Sequence, residues 1–230
     1  MLSKFFLFSL LYWIIGNPFA ALIIIFIIYF TIDRTFFGFI PDPFKIFRRA
    51  SRIRELQRLV SINPHDARAL KELGILMFEK KDYKRALDHF EKASVKMSDD
   101  PEFNFYYGIS TAIIGDILKG RELIDTALRV SPQLKYGEPY LMMAEVYINN
   151  GDYNSALPML ENFEKIHSSS SRGFYQMGLV KLKLGMKDEG TDYLKKSITA
   201  FKASPRFKRK LDRRWAWKAR ALLRKGTYTV

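Results

Sequence analysis

The stretch Leu73–Ala93, LGILMFEKKDYKRALDHFEKA, decides the reading of this chain. It sets a small residue, Gly74, behind a bulky one, Leu73, and later Ala86 four residues ahead of Phe90. The same arrangement recurs. Gly74, Gly108, Ala144 and Gly178 are separated by 34, 36 and 34 residues, and Ala86, Gly120, Ala156 and Gly190 by the same intervals. Bulky residues precede the first series (Leu73, Tyr107, Met143, Met177) and follow the second by four (Phe90, Ile124, Leu160, Leu194). Two series that move together, sharing a two-residue insertion near Lys135-Tyr136, mark a repeat. The physical reason is close packing: antiparallel helices need small residues where backbones approach and bulky ones to fill the holes between.

The two helices of each unit turn at Lys81, Gly115, Gly151 and Gly185, and aspartates follow the first three, at Asp82, Asp116 and Asp152. Glycine and aspartate are turn chemistry. Ser168 to Ser171 reads as a loop and helix cap between units.

At these residues the chain resembles the tetratricopeptide repeat family, whose pattern runs W-x2-L-G-x2-Y, A-x3-F, P. Unit one matches at Leu73-Gly74, Asp82-Tyr83, Ala86, Phe90 and Ala93, and unit three at Tyr140, Ala144, Tyr147, Gly151-Asp152-Tyr153, Ala156 and Leu160. Units two and four match less well, with Asn104, Thr111 and Lys181 where the family prefers aromatics. Pro64 and Pro132 stand at repeat ends, and Pro158 falls early in a second helix. The expected fold is all-α, a superhelix of helical hairpins. Its expected parts are a degenerate half-repeat over 52–66, four units within 67–204 (67–100, 101–134, 137–170 and 171–204), and a basic capping helix and tail over 205–230.

The resemblance implies recognition of a protein partner, a peptide or helix held in the concave groove lined by the first helix of each unit. The groove positions are Lys71, Ile75, Phe78, Phe105, Ile109, Ala112, Leu141, Glu145, Ile148, Tyr175, Leu179 and Leu182. The family's carboxylate-clamp form needs Lys and Asn at these places. Only Lys71 fits, while Ile75, Ile109 and Glu145 depart, which sets that ligand class aside. The largely apolar lining suits a helix-in-groove ligand.

The terminal segment 206–224 carries Leu211, Trp215, Ala219 and Leu222 on one stripe. Trp217 projects to the opposite side, among Lys210, Arg213, Arg214 and Arg224, as a solvated basic face with one exposed indole or as a contact for an anionic lipid surface.

The net charge of +14 is local. Residues 45–58 hold +5 and 202–225 hold +10, leaving −1 for the remainder. Two patches around a neutral body argue against nucleic acid as the main partner, although the terminal helix could grip phosphates, the alternative reading. Phe5 to Ile32 contains no charged residue, which predicts a membrane anchor over 1–40 with its span within 5–32. Arg34, Lys45, Arg48, Arg49, Arg52 and Arg54 follow it, so the expected placement is a single-pass inner (plasma) membrane protein with a cytoplasmic carboxy-terminal domain. A cleaved signal peptide and an exported repeat protein is the competing reading, with a weak cleavage site at Pro18-Phe19-Ala20. Residues 41–51 read as a basic juxtamembrane linker, with Pro41-Asp42-Pro43 extended.

The chain has no cysteine and three scattered histidines, His65, His89 and His167. Disulfides and thiolate chemistry are excluded, and neither a metal site nor a cofactor is expected. The phosphate-loop, nucleophile-elbow, dinucleotide and zinc-protease motifs are missing, so no catalytic residues are assigned. The expectation is a non-enzymatic scaffold.

Overall fold

The computed structural model describes residues 13, 16–32 and 43–226. They divide into two compact units that meet in sequence at Phe47 and Arg48.

In the first unit, α1 runs from Pro18 to Ile32. Asn17 starts it: the side-chain Oδ1 accepts from the backbone N–H of Phe19 at 2.9 Å and of Ala20 at 3.3 Å. Gly16 ahead of it has φ +71°. Gly-Asn-Pro therefore begins a helix here, with Pro18 in the first turn where its missing N–H costs nothing. The helix has 15 residues, about 22 Å at the standard rise, against a hydrocarbon core of about 30 Å. Among the described residues no helix is long and apolar enough to cross a membrane. This overturns the expected single-pass plasma-membrane placement. The rest of the apolar run, residues 5–15 apart from Trp13, and Pro41-Asp42 lie outside the described residues.

Pro43 opens α2 (Pro43–Ile62), so the basic stretch expected as a linker is helical from that residue onward. Four hairpins follow: α3 (Ala67–Glu79) with α4 (Tyr83–Met97), α5 (Pro101–Ile114) with α6 (Ile117–Val130), α7 (Glu138–Asn149) with α8 (Tyr153–Ile166), and α9 (Ser171–Lys183) with α10 (Lys187–Ala203). The last helix, α11, spans Arg206–Gly226. The described residues of this unit hold helices and turns, with no strand among them.

Local chemistry fixes the register. Asp82, Asp116 and Asp152 are N-caps, their side chains accepting from the N–H of Arg85, Lys119 and Ser155. Asp66, Asp100 and Ser170 cap first helices in the same way. Each cap is worth about 1 kcal/mol. The turn residues Gly115, Gly151 and Gly185 take positive φ, and so does Lys81 at 62°. Ala86, Ala144, Ala156, Phe90, Ile124, Leu160 and Leu194 are sealed from solvent, as the two small-and-large series require. Pro158 lies inside α8.

The two-residue insertion forms a 3-10 turn, Leu134–Gly137, with Lys135 and Tyr136 both left-handed at φ 47° and 55°. It returns the chain to the start of α7 while carrying the Lys135 ammonium back over α5.

Candidate functional site

The first helices α3, α5, α7 and α9 were expected to line a groove, and the structure splits the predicted residues into two groups. Lys71 and Ile75 are half-buried and line an open hollow of 520 Å³ with Arg68, Glu72, Met97, Asp100 and Glu102. Glu145, Ile148, Tyr175, Leu179 and Leu182 are also half-buried. Phe105, Ile109, Leu141 and Ala112 are interior, at 1%, 0%, 2% and 2% exposure, and Phe78 is nearly so at 8%. The middle first helices have neighbours on both flanks, and covering both flanks leaves a narrower open stripe than the pattern suggested. Along that stripe Tyr106 and Met142, each one residue after a predicted position, keep partial exposure. Sequence reasoning missed both. The signal was an aromatic and a Met adjacent to fully apolar neighbours, which says nothing by itself about side.

Phe78 anchors the aromatic part of the stripe, edge-on to Tyr83 at 5.4 Å and to Tyr106 at 5.0 Å between ring centroids. Burial raises the Tyr106 phenol above its ordinary value, against the opposing effect of the Lys135 ammonium, so it stays neutral.

Charges along this face are matched across helices. Arg52 of α2 forks onto Glu72 of α3 at 2.6 and 2.5 Å. Lys71 of α3 reaches Asp100 at 2.7 Å and Glu102 at 3.0 Å at the start of α5. Lys135 meets Glu102 at 2.8 Å and lies 5.3 Å from the Tyr106 ring. Arg172 of α9 bonds Glu138 at 2.7 Å and also Glu145, both on α7. The hydrogen bond from Arg52 lowers the Glu72 carboxyl, and that from Lys135 lowers Glu102 with Lys71 assisting, each against an opposing burial effect. For Asp100 burial is the largest influence and pushes upward, yet Lys71 and the Phe103 N–H together bring it below its ordinary value. Lys71 is thus engaged internally. The result is an apolar lane flanked by these ion pairs, with Arg68 exposed at the hollow.

The end of the face is built by α11. Trp215 is 7% exposed and lies 5.4 Å from Tyr175 of α9, ring to ring. The inward stripe of α11 is Asp212, Trp215, Ala216 and Ala219. Leu211, expected on that stripe, is 71% exposed instead. The reason lies in Asp212, which the hydroxyl of Ser204 bonds at 2.7 Å and so turns inward. Among the five residues assigned to an anionic surface, Trp217 is 70% exposed, with Lys210, Arg213 and Arg224 also exposed. Arg214 is exposed as well, with its guanidinium over the Trp215 ring at 4.5 Å.

His89 is half-buried with Nδ1 lacking a partner, and burial holds its pKa below the ordinary value. No group of three or more His, Asp or Glu among the described residues could hold a metal ion.

No family model matches the chain. Two curated proteins are similar: the BBSome complex member BBS4 homolog of Drosophila melanogaster, 24% identical over 159 residues, and the BBSome complex member BBS4 of Bos taurus, 21% identical over 158. These cover 64% and 67% of this chain but 32% and 30% of the relatives, so the chain spans about a third of their length. Among solved structures, MamA superposes with a TM-score of 0.58 at 20% identity, over 64% of this chain and 85% of that one. A second MamA structure gives 0.60 at 19%, over 69% and 85%. YrrB, described as a TPR protein with an unusual peptide-binding site, gives 0.50 at 19%, over 71% and 88%. With the helix order and the caps, these likenesses establish a tetratricopeptide-repeat-like fold for this chain.

Proposed function

We propose that the chain is a protein-interaction scaffold that holds a segment of a partner protein along its first-helix face. One observation carries this reading. The hollow and stripe beside Ile75, Tyr106, Met142 and Ile148 combine half-buried apolar side chains with cross-helix ion pairs that engage Lys71, Lys135 and Arg172. An apolar lane bordered by paired charges is a surface from which water is readily displaced. The peptide-binding site named for YrrB supports the reading by likeness of fold. Scaffolds of this fold are generally not enzymes, and nothing on this face resembles a reaction centre.

Crosslinking and pull-down with the full chain tests it, comparing wild type with Ile75→Glu plus Met142→Glu. Both substitutions place a charge in the lane at partly open positions. Loss of one specific partner, with the melting temperature retained, supports the reading. An identical partner set overturns it.

A second reading has its own observation. Phe207, Leu211 and Trp217 are 82%, 71% and 70% exposed on a helix with abundant cations. This outer face suits a polyanion, and binding to oligothymidine or to phosphatidylserine vesicles that vanishes at high salt is the outcome expected of it.

A further inference from the structure

We infer that the α9–α11 end of the first-helix face is a seat for an acidic segment of the partner protein, whose carboxylates meet Arg214 and Lys218 over the Tyr175–Trp215 pair. This rests on the scaffold reading above and specifies the chemistry of what binds at one end.

Three cations surround one indole. The Arg214 guanidinium lies 4.5 Å from the Trp215 ring, the Lys218 ammonium 4.9 Å and the Arg172 guanidinium 5.8 Å. Lys218 is also 5.8 Å from the Tyr175 ring. Arg172 has its charge answered by Glu138 and Glu145. Neither Arg214 nor Lys218 has a carboxylate within ion-pair distance among the described residues. The acidic residue of α11, Asp212, is 7% exposed and receives the Ser204 hydroxyl.

The rest of the face behaves differently. Arg52, Lys71 and Lys135 each meet a carboxylate. These three cations therefore have carboxylate partners, whereas among the described residues Arg214 and Lys218 of α11 do not. A lysine or arginine held against a ring has already lost much of its rotamer freedom, so less entropy remains to be lost when a carboxylate arrives. The geometry thus predicts a polarity for the bound segment: apolar side chains along Ile75 and Met142, and acidic ones at α11. A second copy of the chain fits poorly, since each carries +14 and the acidic groups of this face are already paired. A nucleic-acid backbone wants a track of cations rather than a pair.

The test uses the full chain and a fluorescein-labelled random Glu/Tyr copolymer, followed by fluorescence anisotropy at about 0.15 M salt, where distant surface charges are screened. Arg214→Glu plus Lys218→Glu should weaken binding about tenfold or more, and the Gln pair should weaken it less. Arg213→Glu plus Arg224→Glu makes the same change in net charge on the outer side and should weaken it less than about threefold. Equal losses in the two charge-reversed proteins overturn the proposal. So does equal competition by oligothymidine or phosphatidylserine vesicles, which marks a general polyanion site. Circular dichroism melting confirms that each variant is folded. The Ile75→Glu plus Met142→Glu protein separates the two readings. If it loses the copolymer while the Arg214/Lys218 variants keep it, the seat is overturned and the scaffold reading stands. If the reverse holds, the seat stands and the apolar lane is not the site.

Discussion

Gly108 of α5 and Gly120 of α6 approach so closely that a methyl on either would strike the other's carbonyl oxygen, at 2.8 Å from position 108 and 2.6 Å from position 120. Backbone cannot retreat as a side chain can. Gly120→Ala should therefore force the hairpin apart and destabilise the unit by about 2–3 kcal/mol, the range of overpacked cores. The same alanine at the matching position of unit three, Ala156, is native and fully buried. Urea denaturation of Gly120→Ala against wild type checks this, and an unchanged midpoint would show that the hairpin relaxes freely.

Lys81 occupies the turn position that units two to four give to glycine, at φ 62°. A side chain in the left-handed region costs about 1–2 kcal/mol, and glycine returns part of that as extra entropy in the unfolded chain. Lys81→Gly should stabilise the protein by about 0.5–1 kcal/mol, read as a rise in the urea midpoint. Gly151→Ala should cost a similar amount.

Those two positions also show what could be read from residues alone. The spacing of Gly74, Gly108, Ala144 and Gly178 made the hairpins legible, because close backbone approach admits few residue types. The turns at Lys81, Gly115, Gly151 and Gly185 were legible for the same reason. Which side of a first helix faces out was not. Phe105 and Tyr106 are both large and aromatic, and only neighbours distant in sequence decide that Phe105 is sealed while Tyr106 is half open. The apolar run misled in another way. Hydropathy over 28 residues cannot register that Asn17 caps a fresh helix, which leaves Pro18–Ile32 short of a span.

Glu72, Asp100 and Glu102 have carboxyls held below their ordinary values by Arg52, Lys71 and Lys135. A carboxyl with a depressed folded pKa binds its proton more readily in the unfolded chain. Its contribution is complete above the unfolded value of about 4, and is lost as pH falls through the lower folded value. Stability should then be flat with respect to these groups from pH 7 to about 5 and fall below about 4. Glu102→Gln should lower the midpoint at pH 7 and reduce the slope below pH 4. Because these side chains are about a third exposed, the effect at neutral pH is modest and shrinks with added salt.

Arg172 joins two first helices and the capping helix at once, since from α9 its guanidinium bonds Glu138 and Glu145 of α7 and lies 5.8 Å from the Trp215 ring of α11. Its side chain is 19% exposed, and Gln176 one turn on reaches the same Glu145 at 3.4 Å. A lysine there could answer one carboxylate but not both, because an ammonium lacks the planar fork. Arg172→Lys should therefore cost about 1 kcal/mol, more than an exposed ion pair does. Its effect should depend on α11. With Trp215→Leu already in place, the ring that holds the guanidinium is gone, and the second substitution should cost less by about 0.5–1 kcal/mol. A double-mutant cycle in urea reads that coupling directly. If the two costs simply add, α9 and α11 are stacked without being joined through Arg172. If they couple, amide exchange in α11 should quicken in Arg172→Lys as well, since the capping helix would have lost the contact that ties it to the array.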